Sequence, residues 1–230
     1  MRLRLLFSLT VLAAVWWLTG RPGADALMAF VEGAGPAGGA PLAEAAGGRP
    51  VVVISPGYGW WSADTKEIDA GAEHAGLVEK DVALDVAQQA QTILARCPID
   101  VRLTRTGDDK QHTLANVYEI VNDDHPSLAL AVHTSGPDAP SGAAAFYTVD
   151  GEDDTGSQRL SSGLAQAVAA RLGLPDLGVQ PETASTNGGL YIHSWRAPAA
   201  LVNLGSLGAD ATPLRNRRRP LPRLPFPPNR

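Results

Sequence analysis

Four side chains stand where predicted elements of secondary structure begin or end, and two of them have types that can do chemistry. Glu79 opens a long helical pattern, and His133 directly follows an apolar run. Tyr58 follows a Pro-Gly pair that ends a β-branched run, and Asn203 closes the last apolar run. A carboxylate and an imidazole can transfer protons or bind a metal ion, whereas a phenol and an amide do neither readily near pH 7. Whether the protein catalyses a reaction depends on these four positions.

The patterns around these residues predict an α/β fold. The segments 51–54 and 128–132 are continuous apolar runs, as expected of strands buried on both faces. Further patterns predict helices over 79–96, 113–121 and 158–172, and strands over 100–104, 143–149, 189–193 and 199–203. Strands that alternate with helices at this spacing predict a single domain with a mostly parallel, twisted sheet and helices on both faces.

This architecture also predicts where the four residues lie relative to one another. In a largely parallel sheet, ligands bind outside the carboxyl ends of the strands. Tyr58, His133 and Asn203 each follow the end of a predicted buried strand. We therefore expect them to surround one cleft.

The N-terminal segment has the features of an export signal. Residues 1–4 are basic, and residues 5–18 form an uncharged run that is shorter than the ~20 residues of a membrane span. Ala24 and Ala26 fit a cleavage site before Leu27, so the sequence predicts a signal peptide over 1–26. The alternative is an uncleaved N-terminal anchor; both readings place the domain outside the cytoplasm, secreted, in the cell wall or anchored to the membrane.

Composition divides the rest of the chain into three parts. Residues 27–50 are rich in Gly, Ala and Pro and predict a flexible linker, whereas residues 51–210 carry the predicted domain. Residues 211–230 are basic and Pro-rich, which predicts a disordered tail that either binds an anionic surface or stays solvated. The net charge of −5 gives no reason to expect nucleic acid, and the single Cys97 excludes an intramolecular disulfide. The oligomeric state is not predicted.

From residue 51 to about 210, the order of motifs resembles a known family, the zinc-dependent N-acetylmuramoyl-L-alanine amidases of type 3. The resemblance rests on a Pro-Gly-x-Gly loop, Glu79-Lys80-Asp81, Leu103-Thr104-Arg105, a strand ending in His133, and the apolar run 198–202 before Gly205. It implies a three-layer sandwich of the phosphorylase/hydrolase-like type. It also implies a cell-wall hydrolase that cleaves the amide between muramic acid and the first L-alanine of the peptidoglycan stem peptide.

The same resemblance implies a role for each of the four residues. Glu79 and His133 match two zinc ligands, but Tyr58 stands in place of the first ligand His and Asn203 in place of the catalytic Glu. Changes that alter the site and leave the core pattern intact are expected of a fold kept for something other than its original chemistry. A positioned base contributes about 10²–10⁴ to a rate, so even a metal-loaded form should be slow.

Two functional hypotheses follow. The first is a catalytically impaired, amidase-like domain, a pseudoenzyme that binds peptidoglycan or muropeptide in a cleft lined by Tyr58, Trp60, Trp61 and Tyr191. The alternative is an active, divergent zinc amidase in which Glu79 and His133 are joined by an unorthodox third ligand, either the Tyr58 phenolate or His74. A serine hydrolase is disfavoured because no Gly-x-Ser-x-Gly elbow is present, and the chain contains neither a Walker loop nor a dinucleotide fingerprint.

Overall fold

A computed structural model of the protein describes residues 50–95, 99–149, 154–182, 192 and 195–217. The strands are Val51–Pro56 (β1), Trp61–Ser62 (β2), Glu67–Ile68 (β3), Glu73–His74 (β4), Leu77–Val78 (β5), Asp100–Leu103 (β6), Leu128–Ser135 (β7), Ala143–Thr148 (β8), Asp176–Glu182 (β9) and Ala199–Ser206 (β10). The helices are Glu79–Leu94 (α1), Leu114–Asp123 (α2), Asp154–Leu172 (α3) and Ala211–Arg215 (α4).

Six strands form one mixed sheet in the order β6-β1-β7-β10-β8-β9. Strands β6, β1, β7 and β10 run parallel, whereas β8 pairs antiparallel with β10 and parallel with β9. The predicted mostly parallel α/β domain is therefore confirmed. The carboxyl ends of β1, β7 and β10 lie side by side at one edge, with Asn203 in register with His133.

Helices cover both faces of the sheet. On one face, α1 and α3 pack on the even-numbered apolar residues of the central strands, such as Val132 and Val202. On the other face, Val117 and Val121 of α2 pack on the odd-numbered residues, such as Val53. His133 and Asn203 have odd numbers, so the alternation of β-strand side chains places both on the α2 face.

Helix α1 begins immediately after the short β4–β5 hairpin. No side chain caps its first turn, although Glu79 and Asp81 place negative charge there and so favour the helix dipole. By contrast, Thr113 and Asn116 form a capping box at the start of α2, which fixes that helix close to its predicted boundary.

Some elements differ from the predictions. Strand β9 was not predicted, because its sequence contains Gly178 and Pro181 and its residues are largely exposed. Helix α4 follows β10, so the predicted disorder from residue 211 is wrong for 211–217; Leu214 of α4 is fully buried in the core. Of the predicted strand 189–193, only Ile192 is described, and it lies in a 3₁₀ turn.

Several predictions fall outside the described residues. The signal peptide, most of the linker, Cys97 and the end of the tail belong to this group. No helix in the described ranges is both long and apolar enough to cross a membrane.

Candidate functional site

Glu79 is a buried carboxylate held in place by two backbone amides and the His133 imidazole. The residue is 3% exposed, and Oε1 accepts a hydrogen bond from the Thr134 amide at 2.9 Å and lies 3.1 Å from His133 Nδ1. The other oxygen, Oε2, accepts from the Ala72 amide at 3.2 Å. The carboxylate therefore connects α1, the loop before the hairpin and the end of β7.

His133 packs tightly against the loop that follows β1. A Cβ atom on Gly57 would lie 2.5 to 2.7 Å from the imidazole ring, so only glycine leaves room for the ring in this position. The Gly57 amide also donates to the Val132 carbonyl at 2.9 Å. The β1 loop and the end of β7 thus fix the orientation of the ring together.

Tyr58 sits in the same loop with a left-handed backbone. Its φ is +58°, and Gly59 continues the left-handed path with φ +77°. The Tyr58 ring stacks on Trp60 at 5.3 Å between centroids and meets the His133 ring edge-on, also at 5.3 Å. The structure thus brings the Tyr58 ring into contact with His133.

The environment of Tyr58 keeps its phenol protonated. Burial raises the pKa of the Tyr58 hydroxyl above its usual value of 10, and the negative charges of Glu79 and Asp69 raise this pKa further. Zinc binding through a phenolate would have to overcome these effects.

Glu79 and His133 have the spacing of two ligands of one zinc ion. Two ligands at about 2.0 to 2.1 Å from a tetrahedral zinc ion lie about 3.3 Å apart, so the Glu79–His133 separation of 3.1 Å suits two ligands as well as a direct hydrogen bond. No group of three or more His, Cys, Asp or Glu residues, however, comes together within the part of the chain that the structure describes. His74 is exposed on the β4–β5 hairpin and does not complete the set. Among the described His, Cys, Asp and Glu residues, Glu79 and His133 alone therefore fall one donor short of a three-ligand catalytic centre.

Asn203 occupies the position beside His133 on the neighbouring strand. Its Nδ2 donates to the Ser135 hydroxyl at 2.6 Å, and its Oδ1 accepts from the Gly205 amide at 3.1 Å. Both ends of the amide are therefore engaged by protein groups. An amide cannot accept a proton from water near pH 7, so this position supplies no general base.

Two other carboxylates, Asp210 and Glu182, do not supply a general base at Asn203. Asp210 accepts from the Ser141 hydroxyl and from the amides of Gly142 and Ser206, which ties the end of β10 to the turn before β8. Glu182 pairs in register with Thr148, whereas Asn203 pairs with Ala144, four residues away along β8. Four strand residues span about 13 Å, which places Glu182 at the opposite end of the sheet.

The serine residues near the strand ends have structural partners. The Ser55 hydroxyl accepts from Thr104 at 3.1 Å, and Ser206 donates to the Gly136 carbonyl at 3.1 Å. Ser135 is the partner of Asn203. These contacts agree with the sequence-based argument against a serine nucleophile.

The predicted aromatic lining of the cleft is only partly present. Trp60 is 9% exposed and belongs to the core on the α2 face, where its ring stacks on Tyr58, so its role as a cleft residue stays a prediction. Trp61 is half-buried and has the Lys110 ammonium 5.5 Å from its ring centroid. Tyr191 lies outside the described residues.

Arg105 borders the site, although the sequence pattern predicted no functional role for this residue. It is 5% exposed and donates to the backbone carbonyls of Pro56, Gly57 and Lys80. The signal that could have identified it is its place directly after a strand, at the same sheet edge as Tyr58 and His133.

Known proteins are similar to this chain in sequence. A family model described as N-acetylmuramoyl-L-alanine amidase matches residues 52–217. The amidase AmiA of Escherichia coli (strain K12) is 37% identical over 109 residues, which cover 46% of this chain and 34% of AmiA. The amidase LytC of Bacillus subtilis (strain 168) is 31% identical over 134 residues, which cover 56% of this chain and 25% of LytC. The aligned part thus spans about a third or less of these relatives.

Solved structures show the same fold at low identity. An N-acetylmuramoyl-L-alanine amidase from Clostridium difficile 630 superposes with a TM-score of 0.58 at 22% identity, covering 71% of this chain and 83% of that one. The CwlD amidase of Clostridioides difficile, solved in complex with the GerS lipoprotein, gives a TM-score of 0.59 at 20% identity, with 74% and 89% covered.

Proposed function

This chain belongs to the N-acetylmuramoyl-L-alanine amidase family, and from that premise we propose that it is an exported, amidase-like domain that binds peptidoglycan and is catalytically impaired. Its ligand is the muramic acid–stem peptide junction of peptidoglycan or muropeptide. The amidases to which it is similar supply the ligand class, and the N-terminal pattern supports an extracytoplasmic location.

The position of Asn203 carries the proposal. The residue lies in register with His133 on the paired strand, where the family resemblance implies the catalytic Glu. Its amide is held by Ser135 and by the Gly205 backbone, so it is a stable part of the site. A site that keeps the shape of the catalytic centre without its base can bind a substrate and leave the bond intact.

The metal donors support the same conclusion. Zinc, which the resemblance implies, would polarise the amide carbonyl when bound, with Glu79 and His133 as its protein ligands. Both Glu79 oxygens already accept hydrogen bonds from backbone amides, and the third donor position holds a protonated phenol. The site is therefore stable without a metal ion.

The alternative function is an active, divergent zinc amidase. The 3.1 Å separation of Glu79 Oε1 and His133 Nδ1 and the edge contact between the Tyr58 and His133 rings favour it, because the first suits two ligands of one zinc ion and the second brings the Tyr58 ring next to them. In this version the Tyr58 phenolate is the third ligand.

Metal content and muropeptide turnover separate the two functions. The purified full-length chain is dialysed against Zn²⁺ and then buffer, its zinc is measured by elemental analysis, and muropeptide binding and stem-peptide release are measured on the same sample. The proposal predicts binding, much less than one zinc per chain and no release above background. About one zinc per chain that disappears in the Glu79→Ala/His133→Ala double variant, together with release, would support the alternative.

A further inference from the structure

Arg105 is a buried cation in contact with the two chain segments that build the site. Its Nε donates to the Pro56 carbonyl at 3.3 Å, and its Nη2 donates to the carbonyls of Gly57 at 3.0 Å and Lys80 at 2.8 Å. The first two carbonyls lie at the end of β1 and at the start of the loop that carries Tyr58, and the third lies in the first turn of α1, next to Glu79. One guanidinium thus connects the Tyr58 loop with the start of the Glu79 helix.

The charge of Arg105 is balanced in place. Its Nη1 lies 4.0 Å from Asp108 Oδ1, and Asp108 also pairs with Lys80 at 2.7 Å. A buried charge is tolerated only when polar groups surround it, and charge-assisted bonds to carbonyls are stronger than neutral ones. These contacts fix the guanidinium, which in turn fixes the carbonyls that it bonds.

The loop is shaped around this guanidinium. A Cβ atom on Gly59 would overlap the Arg105 side chain, so glycine is required both for this contact and for its φ of +77°. Tyr58, just before it, has a left-handed backbone, which is unfavourable for a residue other than glycine. Contacts outside the loop must offset this cost, and two of the three Arg105 hydrogen bonds are made to the two residues that immediately precede Tyr58.

We infer that Arg105 is a positioning residue of this site: it ties the Tyr58 loop to the first turn of α1, so that Tyr58, Glu79 and His133 face the ligand together. Arg105 acts through the loop and does not itself contact the ligand. The inference rests on the proposed function, because it supposes that muropeptide binds at this cleft.

The test compares Arg105→Lys with a matched control, Arg102→Lys. Arg102 is exposed and pairs with Asp100 on its own strand, β6, and with Asp124 at the end of α2, so its replacement keeps the loop intact. Hydrogen exchange of the full-length chain is followed at the amides of Gly57, Gly59 and Lys80, which bond to Val132, Asp69 and Ala70. Muropeptide affinity is measured on the same preparations.

The expected result for Arg105→Lys is exchange at least about tenfold faster at these three amides, with α1 residues 82–90 unchanged, and a dissociation constant for muropeptide about tenfold higher. Arg102→Lys should change neither. A purely structural role would raise exchange in the loop and in the helix core alike and leave the affinity of the folded fraction unchanged.

A second variant keeps the inference testable if Arg105→Lys does not fold. Gly59→Ala introduces the Cβ that displaces the guanidinium without removing its charge, and it should give the same local exchange and weaker binding. If both variants keep wild-type exchange at Gly57 and Lys80 and wild-type affinity, Arg105 has no positioning role. If the wild-type chain binds no muropeptide, the proposed function fails, while the exchange data still decide whether Arg105 orders the loop.

Discussion

At the scale of single residues, Tyr58→His and Asn203→Glu should supply the metal ligand and the general base that the site lacks under the proposed function. Tyr58→His places an imidazole next to Glu79 and His133 in a left-handed conformation that His adopts more readily than Tyr does. Asn203→Glu places a carboxylate beside His133. The double variant should bind about one zinc per chain and release stem peptide about 10²–10⁴ times faster than the wild type.

The controls for this gain are Tyr58→Phe and Asn203→Gln, which change the same positions without adding a ligand or a base. Neither should bind zinc or release stem peptide. If the double variant binds zinc but stays as slow as these controls, the loss of activity lies elsewhere than in Asn203.

His112 predicts a pH dependence of stability. Burial lowers the pKa of its imidazole below the usual 6.5, and the nearby Arg105 charge lowers it further. The unfolded chain therefore binds more protons than the folded chain below pH 6.5, so stability is complete above this pH and is lost as the pH falls towards the folded pKa. Urea unfolding between pH 7.5 and 5 should show this loss, and His112→Gln should reduce its slope, whereas Gln111→Ala in the same loop should not. Equal slopes in wild type and His112→Gln would contradict the assignment.

At the scale of elements, the contact between the β1 loop and His133 is the sharpest steric constraint. Gly57→Ala puts a Cβ 2.5 to 2.7 Å from the imidazole, so the ring or the loop must move, at a cost of about 1–3 kcal/mol in the free energy of unfolding. Gly107→Ala is the matched control, because nothing lies within 4 Å of its Cβ position. Chemical denaturation of the two variants checks the difference; similar values for both would mean that the ring moves freely.

The elements differ in how well the sequence predicts them. Strands β1, β7 and β10 are continuous apolar runs, and α1 has apolar residues at helical spacing, so each follows from burial alone. Strand β9 does not follow, since it is an exposed edge strand and its neighbour β8 supplies the partner that its own sequence does not reveal. The two-residue strands β2 to β5 are too short to produce any periodic pattern.

Within the site, the ends of predicted strands place Tyr58, His133 and Asn203, and the start of a predicted helix places Glu79, but the partners of these residues are not predicted from the sequence. The adjacency of Asn203 and His133 comes from the register of β7 and β10, which no local pattern encodes. The Ser135 contact, the burial of Trp60 and the role of Arg105 likewise depend on tertiary packing. The exposure of His74 is set by a hairpin turn whose direction the sequence leaves open.

At the scale of the whole molecule, the C-terminal boundary of the domain is testable. Leu214 is fully buried in the core, Arg217 pairs with the largely buried Asp85 at 2.6 Å, and Arg215 donates to the Ala75 carbonyl beside the β4–β5 hairpin. Truncation after Asp210 removes these contacts and should lower the free energy of unfolding by at least about 2–5 kcal/mol, the cost of deleting a buried Leu side chain. Truncation after Arg217 should leave it unchanged, as thermal and urea unfolding would show. Equal stability of both forms would mean that the segment 211–217 is dispensable.

The central claim is that this amidase fold keeps its ligand and leaves the bond intact. The most direct measurement is chromatographic detection of stem peptide after the zinc-equilibrated, full-length wild-type chain has been incubated with a muropeptide that it is shown to bind, beside the Tyr58→His/Asn203→Glu variant. If this claim is correct, the muropeptide stays bound and uncleaved with the wild type, and stem peptide is released by the variant. Release by the wild type at a rate similar to that of the variant would contradict it.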